Sequence, residues 1–263
     1  MSPSWRDRVT VFLGPGAVHL ARHPRGWRPP PGIAHSVECG TPAGREWERA
    51  LAALARALGR LAWQGADARV TVSNHFVRYA LVPAAGKLRG ENERTAAARH
   101  ALRTTYRERG DGWRVVLGET HGGDGLVAAI EPALLDGIAT TLAAAKLRPV
   151  AVEPFLAAAF NACRGAIERE PVWLAAAEPG RVCVARLDRG AWRQVRNERL
   201  RGRLEDELPA VLERCRLSAG ADAGAGRVLL VARGAPELEP AGAPGWSFER
   251  VRLEEAAATP LAA

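Results

Sequence analysis

Hydrophobic and polar positions alternate in short runs near the start of the chain, and glycine- or proline-containing turns separate these runs. Alternation of this kind predicts strands, whereas apolar residues three and four apart predict a helix. On this basis we expect three strands, a helix and a fourth strand in the first quarter of the chain: Arg8–Leu13, Ala17–Arg22, His35–Cys39, Arg45–Trp63 and Ala68–Ser73.

The middle of the chain predicts helices separated by short strands. Glu91 and Glu93 near the start of one such segment, and Arg107 and Arg109 near its end, complement the dipole of a helix. The expected elements are the helices Gly90–Arg109, Pro132–Lys146 and Phe155–Ile167 and the strands Trp113–Leu117, Leu126–Ile130 and Pro149–Glu153. Phe155 and Phe160 are expected to lie on the core-facing side of their helix.

The last third of the chain repeats the opening plan. Its expected strands are Val172–Ala177, Arg181–Leu187, Trp192–Leu200, Arg227–Ala232 and Ser247–Leu253, with the helix Glu205–Leu217 after the third strand. Three hairpin-linked strands, a helix and further strands form the ribonuclease-H-like plan. Two copies in one chain predict an α/β protein with a two-lobed actin-like fold. We expect a first lobe over residues 1–168, with an inserted helix-strand subdomain, and a second lobe over residues 169–263.

The segment Val70–Pro83 reads VTVSNHFVRYALVP and places Arg78 among apolar residues. A charge in such a position needs a partner or a ligand. We expect a carboxylate of the following helix, Glu91 or Glu93, to pair with it. The run resembles the signature of PilM/GspL/MshI-like proteins, the actin-like cytoplasmic components of bacterial type IV pilus and type II secretion machines. Glu153–Asn161 and Glu178–Arg199 resemble other parts of the same family.

The resemblance implies a function in the assembly of such a machine. It implies a cytoplasmic scaffold, peripheral to the inner membrane through partners, that binds a cytoplasmic peptide of an inner-membrane pilus or secretion protein. The residues it suggests for partner binding are Asn74, His75, Phe76, Arg78 and Tyr79. The sequence leaves homodimerisation and the identity of the partner open.

Glycines mark three turns where actin-like ATPases bind nucleotide, but the acidic and hydroxyl residues of such sites are missing. Gly14 and Gly16 flank Pro15, which has no backbone N–H to offer a phosphate. Glu178 is the acid before Pro179 and Gly180 in the second turn, and Gly234 stands alone in the third. We therefore expect vestigial nucleotide turns, no cofactor and no ATP hydrolysis. The alternative is an actin-like nucleotide-binding protein or ATPase with an atypical site.

Composition and charge narrow the remaining classes of function. The chain has 263 residues and a formal charge of +8, which is compatible with nucleic acid, an anionic membrane surface or an acidic partner. We expect no nucleic-acid binding, because no block of five or six basic residues occurs and the strands lack the carboxylates of a two-metal nuclease.

The four cysteines form no C-x-x-C pair, and His19 and His23 fall on a strand, so no metal site is expected. Thr120–Gly125 is expected to be a hairpin loop. The sequence predicts neither a signal peptide nor a membrane span.

Overall fold

A computed structural model of the chain describes residues 6–26, 30–40, 45–107, 112–118, 123–220, 223–234, 244–253 and, for the backbone, 258–260. The helices in these ranges are α1 (Glu46–Arg60), α2 (Glu91–Tyr106), α3 (Pro132–Ala144), α4 (Phe155–Ile167) and α5 (Leu204–Ser218). The strands are β1 (Arg8–Leu13), β2 (Ala17–His23), β3 (Ile33–Glu38), β4 (Asp67–Val72), β5 (Val77–Val82), β6 (Arg114–Leu117), β7 (Gly125–Ile130), β8 (Arg148–Pro154), β9 (Val172–Glu178), β10 (Arg181–Asp188), β11 (Ala191–Arg199), β12 (Arg227–Ala232), β13 (Ser247–Arg250) and β14 (Ala258–Pro260).

Two of the sheets share one strand order, apart from the additional strand β14 at the edge of the first. The first runs β14-β3-β2-β1-β4-β8 and the second runs β11-β10-β9-β12-β13. In both, three antiparallel strands are followed by strands that run parallel to the first of them. The repeated plan predicted from the sequence is therefore present in both sheets. Every residue of the central strand β9 is buried, because helices and neighbouring strands cover it from all sides.

A third sheet, ordered β5-β7-β6, comes from the segment between β4 and α3. Helix α2 packs on one face of it and closes a small core of Ala80, Val82, Leu102 and Val127. The strand β5 begins within the segment that carries the family resemblance, so this small sheet fixes the position of Arg78 and Tyr79.

The contacts divide the chain into two compact units. One consists of residues 1–76, 131–154 and 254–263, and the other of residues 77–130 and 155–253. The second unit holds the three-stranded sheet together with the sheet centred on β9. Each of these units combines segments from separate parts of the chain, whereas each predicted lobe is one continuous segment. The predicted boundary at residue 168 stays a prediction.

Most predicted elements are present with small shifts at their ends. The helix Phe155–Ile167 and the strand Arg227–Ala232 have the predicted bounds. Helix α2 ends at Tyr106 rather than Arg109, since Arg107 takes a left-handed conformation with φ of 45°. The loop Thr120–Gly125 lies partly outside the described residues. None of the described helices is long and apolar enough to cross a membrane.

Candidate functional site

The turn before β5 is held by its own serine. Ser73 and Asn74 are fully buried, whereas His75 and Phe76 are half-buried. The Ser73 Oγ accepts a hydrogen bond from the His75 N–H at 3.1 Å, and the Ser73 carbonyl accepts one from the Phe76 N–H at 3.0 Å. This local bonding explains why Ser-Asn-His interrupts the strand pattern. The role of Asn74, His75 and Phe76 in partner binding stays a prediction.

The outer edge of β5 is covered by two side chains. The Tyr106 hydroxyl accepts a hydrogen bond from the Tyr79 N–H at 3.3 Å and donates one to the Tyr79 carbonyl at 3.0 Å. The Asn197 Nδ2 donates to the Val77 carbonyl at 3.2 Å. Backbone groups on a sheet edge are ordinarily open to another strand. A peptide could add beside Val77 and Tyr79 only by displacing these two side chains.

Arg78 is half-buried and lies on an aromatic ring. Its guanidinium carbon is 5.6 Å from the centre of the Trp113 ring, a cation–π distance, and its Nη1 donates to the Val77 carbonyl at 3.4 Å. The carboxylate of Glu93 accepts a hydrogen bond from the Arg89 N–H at 2.6 Å. The expected pairing of Arg78 with Glu91 or Glu93 stays a prediction. Sequence reasoning did not identify Trp113, Tyr106 or Asn197, because no local pattern connects them to β5.

The two tyrosines of the chain, Tyr79 and Tyr106, both lie in this region and both are shielded from solvent. Burial raises the pKa of Tyr79 well above its usual range. Burial also raises the pKa of Tyr106, although its hydrogen bond with the Tyr79 backbone and the nearby Arg78 charge act in the opposite direction. Both hydroxyls therefore stay neutral under ordinary conditions and serve as hydrogen-bonding groups.

Alkaline titration is expected to show this shielding directly. An unfolded chain releases the tyrosine protons at about pH 10, whereas the folded chain retains them, so stability falls as the pH rises above that value. Absorbance at the tyrosinate wavelength should remain low past this pH and then rise together with loss of the far-ultraviolet circular dichroism signal. A gradual, unshifted titration of either tyrosine in the folded protein would contradict the described environment.

The first predicted nucleotide turn is closed by its own hydrogen bonds. The Gly14 N–H donates to the Ala17 carbonyl at 3.2 Å, and the Gly16 carbonyl accepts from the Cys39 N–H at 2.9 Å. A Cβ on Gly14 would lie 3.0 Å from both the Ala17 oxygen and a Phe12 ring carbon. Close packing within the hairpin therefore accounts for Gly14, without any need for a phosphate.

The other two predicted nucleotide turns lie against each other. Pairing of Ala232 with Ala177 in parallel strands brings Gly234 beside Pro179, and a Cβ on Gly234 would lie 3.1 Å from the Pro179 Cγ. Gly180 and Gly234 both have φ of 72°, which favours glycine. Glu178 is only 4% exposed, so the acid of this turn faces the interior. A vestigial nucleotide role for these glycines stays a prediction.

Histidine, cysteine and acidic side chains are the remaining candidates for metal or thiol chemistry. No group of three or more histidine, cysteine or acidic side chains in those ranges has the geometry to hold a metal ion. All four cysteines are buried as free thiols, and burial raises the pKa of Cys163 and of Cys215 to about 11. Such thiols remain protonated and unreactive near neutral pH. His19 and His23 lie on strand β2, as expected.

Comparison with known proteins identifies the fold. No family model matches the chain, and no curated protein sequence matches it. Among solved structures, a chain of the PilM-PilN type IV pilus biogenesis complex is 15% identical over 88% of this chain and 82% of its own, with a TM-score of 0.60. The cytoplasmic domain of EpsL from Vibrio cholerae, an inner-membrane component of the type II secretion system, is 13% identical over 94% and 90%, with a TM-score of 0.56.

A protein of unknown function from Bacteroides thetaiotaomicron, described as having an actin-like ATPase fold, also has a TM-score of 0.56, at 9% identity over 88% of this chain and 83% of its own. The chain therefore has the actin-like fold predicted from its duplicated plan. The resemblance to PilM and GspL proteins is confirmed at the level of the fold.

Proposed function

We propose that this chain is a non-catalytic assembly scaffold of a type IV pilus or related secretion machine, and that it binds a cytoplasmic peptide of an inner-membrane partner. The supporting observation is the likeness, over most of both chains, to a chain of the PilM-PilN type IV pilus biogenesis complex and to the cytoplasmic domain of EpsL. The SNHFVRY signature at Ser73–Tyr79 adds an independent resemblance in sequence. The expected location is the cytoplasmic face of the inner membrane.

The absence of catalysis is inferred from the glycine turns. The Gly14 amide is used within its hairpin, Pro15 has no N–H, and Glu178 is buried. Phosphate transfer needs free backbone donors and an acid that organises a metal ion. We therefore expect purified protein to show no magnesium-dependent ATP hydrolysis, and binding of ATP without hydrolysis is compatible with the scaffold function.

The three-stranded sheet has a second outer strand, β6, on which we place the peptide. Gly118 donates its N–H to the Leu126 carbonyl at 2.9 Å, so its backbone groups point toward β7. Backbone groups of an antiparallel strand point alternately to the two sides, and those of Val115 and Leu117 therefore point to the outer edge of the sheet. Arg94 donates to the Leu117 carbonyl at 3.2 Å and covers one end of that edge. Val116 is 62% exposed beside it. An extended peptide could add here through backbone hydrogen bonds, with Val116 as an apolar contact.

Crosslinking in the source bacterium, followed by affinity purification and mass spectrometry, tests this proposal. We expect the tagged chain to recover an inner-membrane pilus or secretion component. Val116→Glu should reduce the recovery by about tenfold, because a charge would be buried at the interface. The matched control is Leu217→Glu on α5, since Leu217 is 65% exposed and lies outside the three-stranded sheet.

The outcomes separate the parts of the proposal. Recovery of no pilus or secretion component, with a gene outside any such operon, would contradict the scaffold function. Equal recovery with the two glutamate variants would move the peptide away from β6. Magnesium-dependent ATP hydrolysis that is abolished by Glu178→Ala would favour the alternative of an atypical actin-like ATPase.

A further inference from the structure

Two arginines stand directly opposite each other at the ends of neighbouring strands. Arg181 begins β10 and Arg199 ends β11, and the two are register partners in the antiparallel pair. Like charges in opposite positions on a sheet destabilise the pair. In the ranges that the structure describes, neither guanidinium forms an ion pair with a carboxylate.

A hydrogen-bonded amide connects this pair to Arg78. The Arg181 Nη1 donates to the Asn197 Oδ1 at 3.3 Å. The Nδ2 of the same amide donates to the Val77 carbonyl at 3.2 Å, and that carbonyl also accepts from the Arg78 Nη1 at 3.4 Å. The Arg181 and Arg78 guanidinium groups are thus linked through one asparagine side chain and the Val77 carbonyl, and Arg78, Arg181, Asn197 and Arg199 all belong to the same compact unit.

Arg181 is left with an unused donor in a shielded place. Its Nε is buried and has no hydrogen-bond partner. Burial is the largest cause of the lowered pKa of Arg181. The positive charges of Arg78 and Arg199 lower this pKa further, whereas the negative charge of Glu178 raises it. A buried donor without an acceptor costs about 1–3 kcal/mol. A cluster of positive charges with a buried, unpaired N–H donor is typical of an anion-binding site.

We propose that Arg181 and Arg199, with Arg78 beside them, form a binding site for an oxyanion, the phosphate or carboxylate group of a ligand. Guanidinium groups bind such anions through pairs of parallel N–H donors, and an anion here would relieve the repulsion between Arg181 and Arg199. The Tyr106 hydroxyl lies within the electrostatic influence of Arg78 and Arg181. The site is independent of the scaffold function, because it rests on these contacts alone.

Thermal unfolding of the full chain in inorganic phosphate tests the proposal. Sodium phosphate is titrated at pH 7 with the ionic strength held constant by sodium chloride. We expect a saturable rise in the melting temperature, since a ligand at ten times its dissociation constant lowers the unfolding equilibrium constant about elevenfold. A glutamate-containing tripeptide in a second titration distinguishes a carboxylate ligand from a phosphate ligand, and saturation by either one supports the site.

Arg199→Gln is the decisive variant because Arg199 is exposed and its replacement leaves the core intact. It should raise the melting temperature in chloride alone, by removing the like-charge contact, and abolish the rise caused by phosphate. Arg196→Gln is the matched control, since Arg196 is an exposed arginine of the same strand that lies opposite Val184. It should retain the full response to phosphate. An equal phosphate response in both variants, or no response of the unmodified chain beyond that of chloride, would overturn the proposal.

Discussion

Phe155→Ala is expected to lower the free energy of unfolding by about 3–5 kcal/mol, the usual cost of removing a buried phenylalanine. Phe155 has no exposed surface and begins α4, whose buried residues recur at Ala159, Cys163 and Ile167. The helix packs on β9 and β10 through this stripe. A cavity at its first turn would remove contacts that close-packed neighbours cannot replace.

Urea unfolding followed by circular dichroism measures this effect, and Phe160→Ala provides the comparison. Phe160 belongs to the same helix but is half-buried, with its ring stacked on Trp192 at a centroid distance of 5.0 Å. Its loss should cost less than half as much, because part of its surface already faces water. If the two variants lose equal stability, the assignment of Phe155 to the core and of Phe160 to its margin is wrong.

Tyr106→Phe is expected to expose the edge of β5 while the aromatic ring stays in place. The substitution removes one oxygen, and the N–H and the carbonyl of Tyr79 both lose the partner that this oxygen provides. Each backbone group that is left unpaired in a shielded position costs about 1–3 kcal/mol. The variant should therefore be less stable, with the largest local effect at Val77–Val82.

Hydrogen–deuterium exchange resolved along the chain measures the local effect. The Tyr79 amide should exchange about tenfold faster or more in the variant, since it loses its hydrogen bond. Thr105→Ala on the same helix is the control, because the Thr105 hydroxyl donates to the Ala101 carbonyl within α2 at 2.9 Å. Unchanged protection of Tyr79 in Tyr106→Phe would show that the hydroxyl does not hold this edge.

The elements with strong periodicity could be predicted from the sequence. Strands β1 and β2 alternate cleanly around a glycine turn, and α4 has an apolar stripe after a proline, so their bounds were found within a residue or two. The segment that forms β5 was singled out for Arg78 and the family resemblance, but neither the strand nor its pairing with β7 was predicted. Helix α2 carries few apolar residues, and its C-terminal end was placed three residues too far along.

The candidate site was predicted in part. The segment around Arg78 was singled out because a charge in an apolar run needs a partner. The contacts themselves join positions far apart in sequence: Tyr106 is 27 residues from Tyr79, and Asn197 is 120 residues from Val77. No spacing rule connects such residues, since their distance is set by how α2 and β11 pack beside β5.

The amino-acid sequence by itself determined most of the order of strands and helices and their duplication, because hydrophobic periodicity and turn residues act over a few positions. It also determined that the glycine turns lack the acids and hydroxyls of a nucleotide site. Only the tertiary structure decided that Tyr106 and Asn197 cover the edge of β5, that Gly234 packs on Pro179, and that Arg181 faces Arg199. These contacts depend on sheet register and helix packing, which arise when segments distant in the chain are brought together.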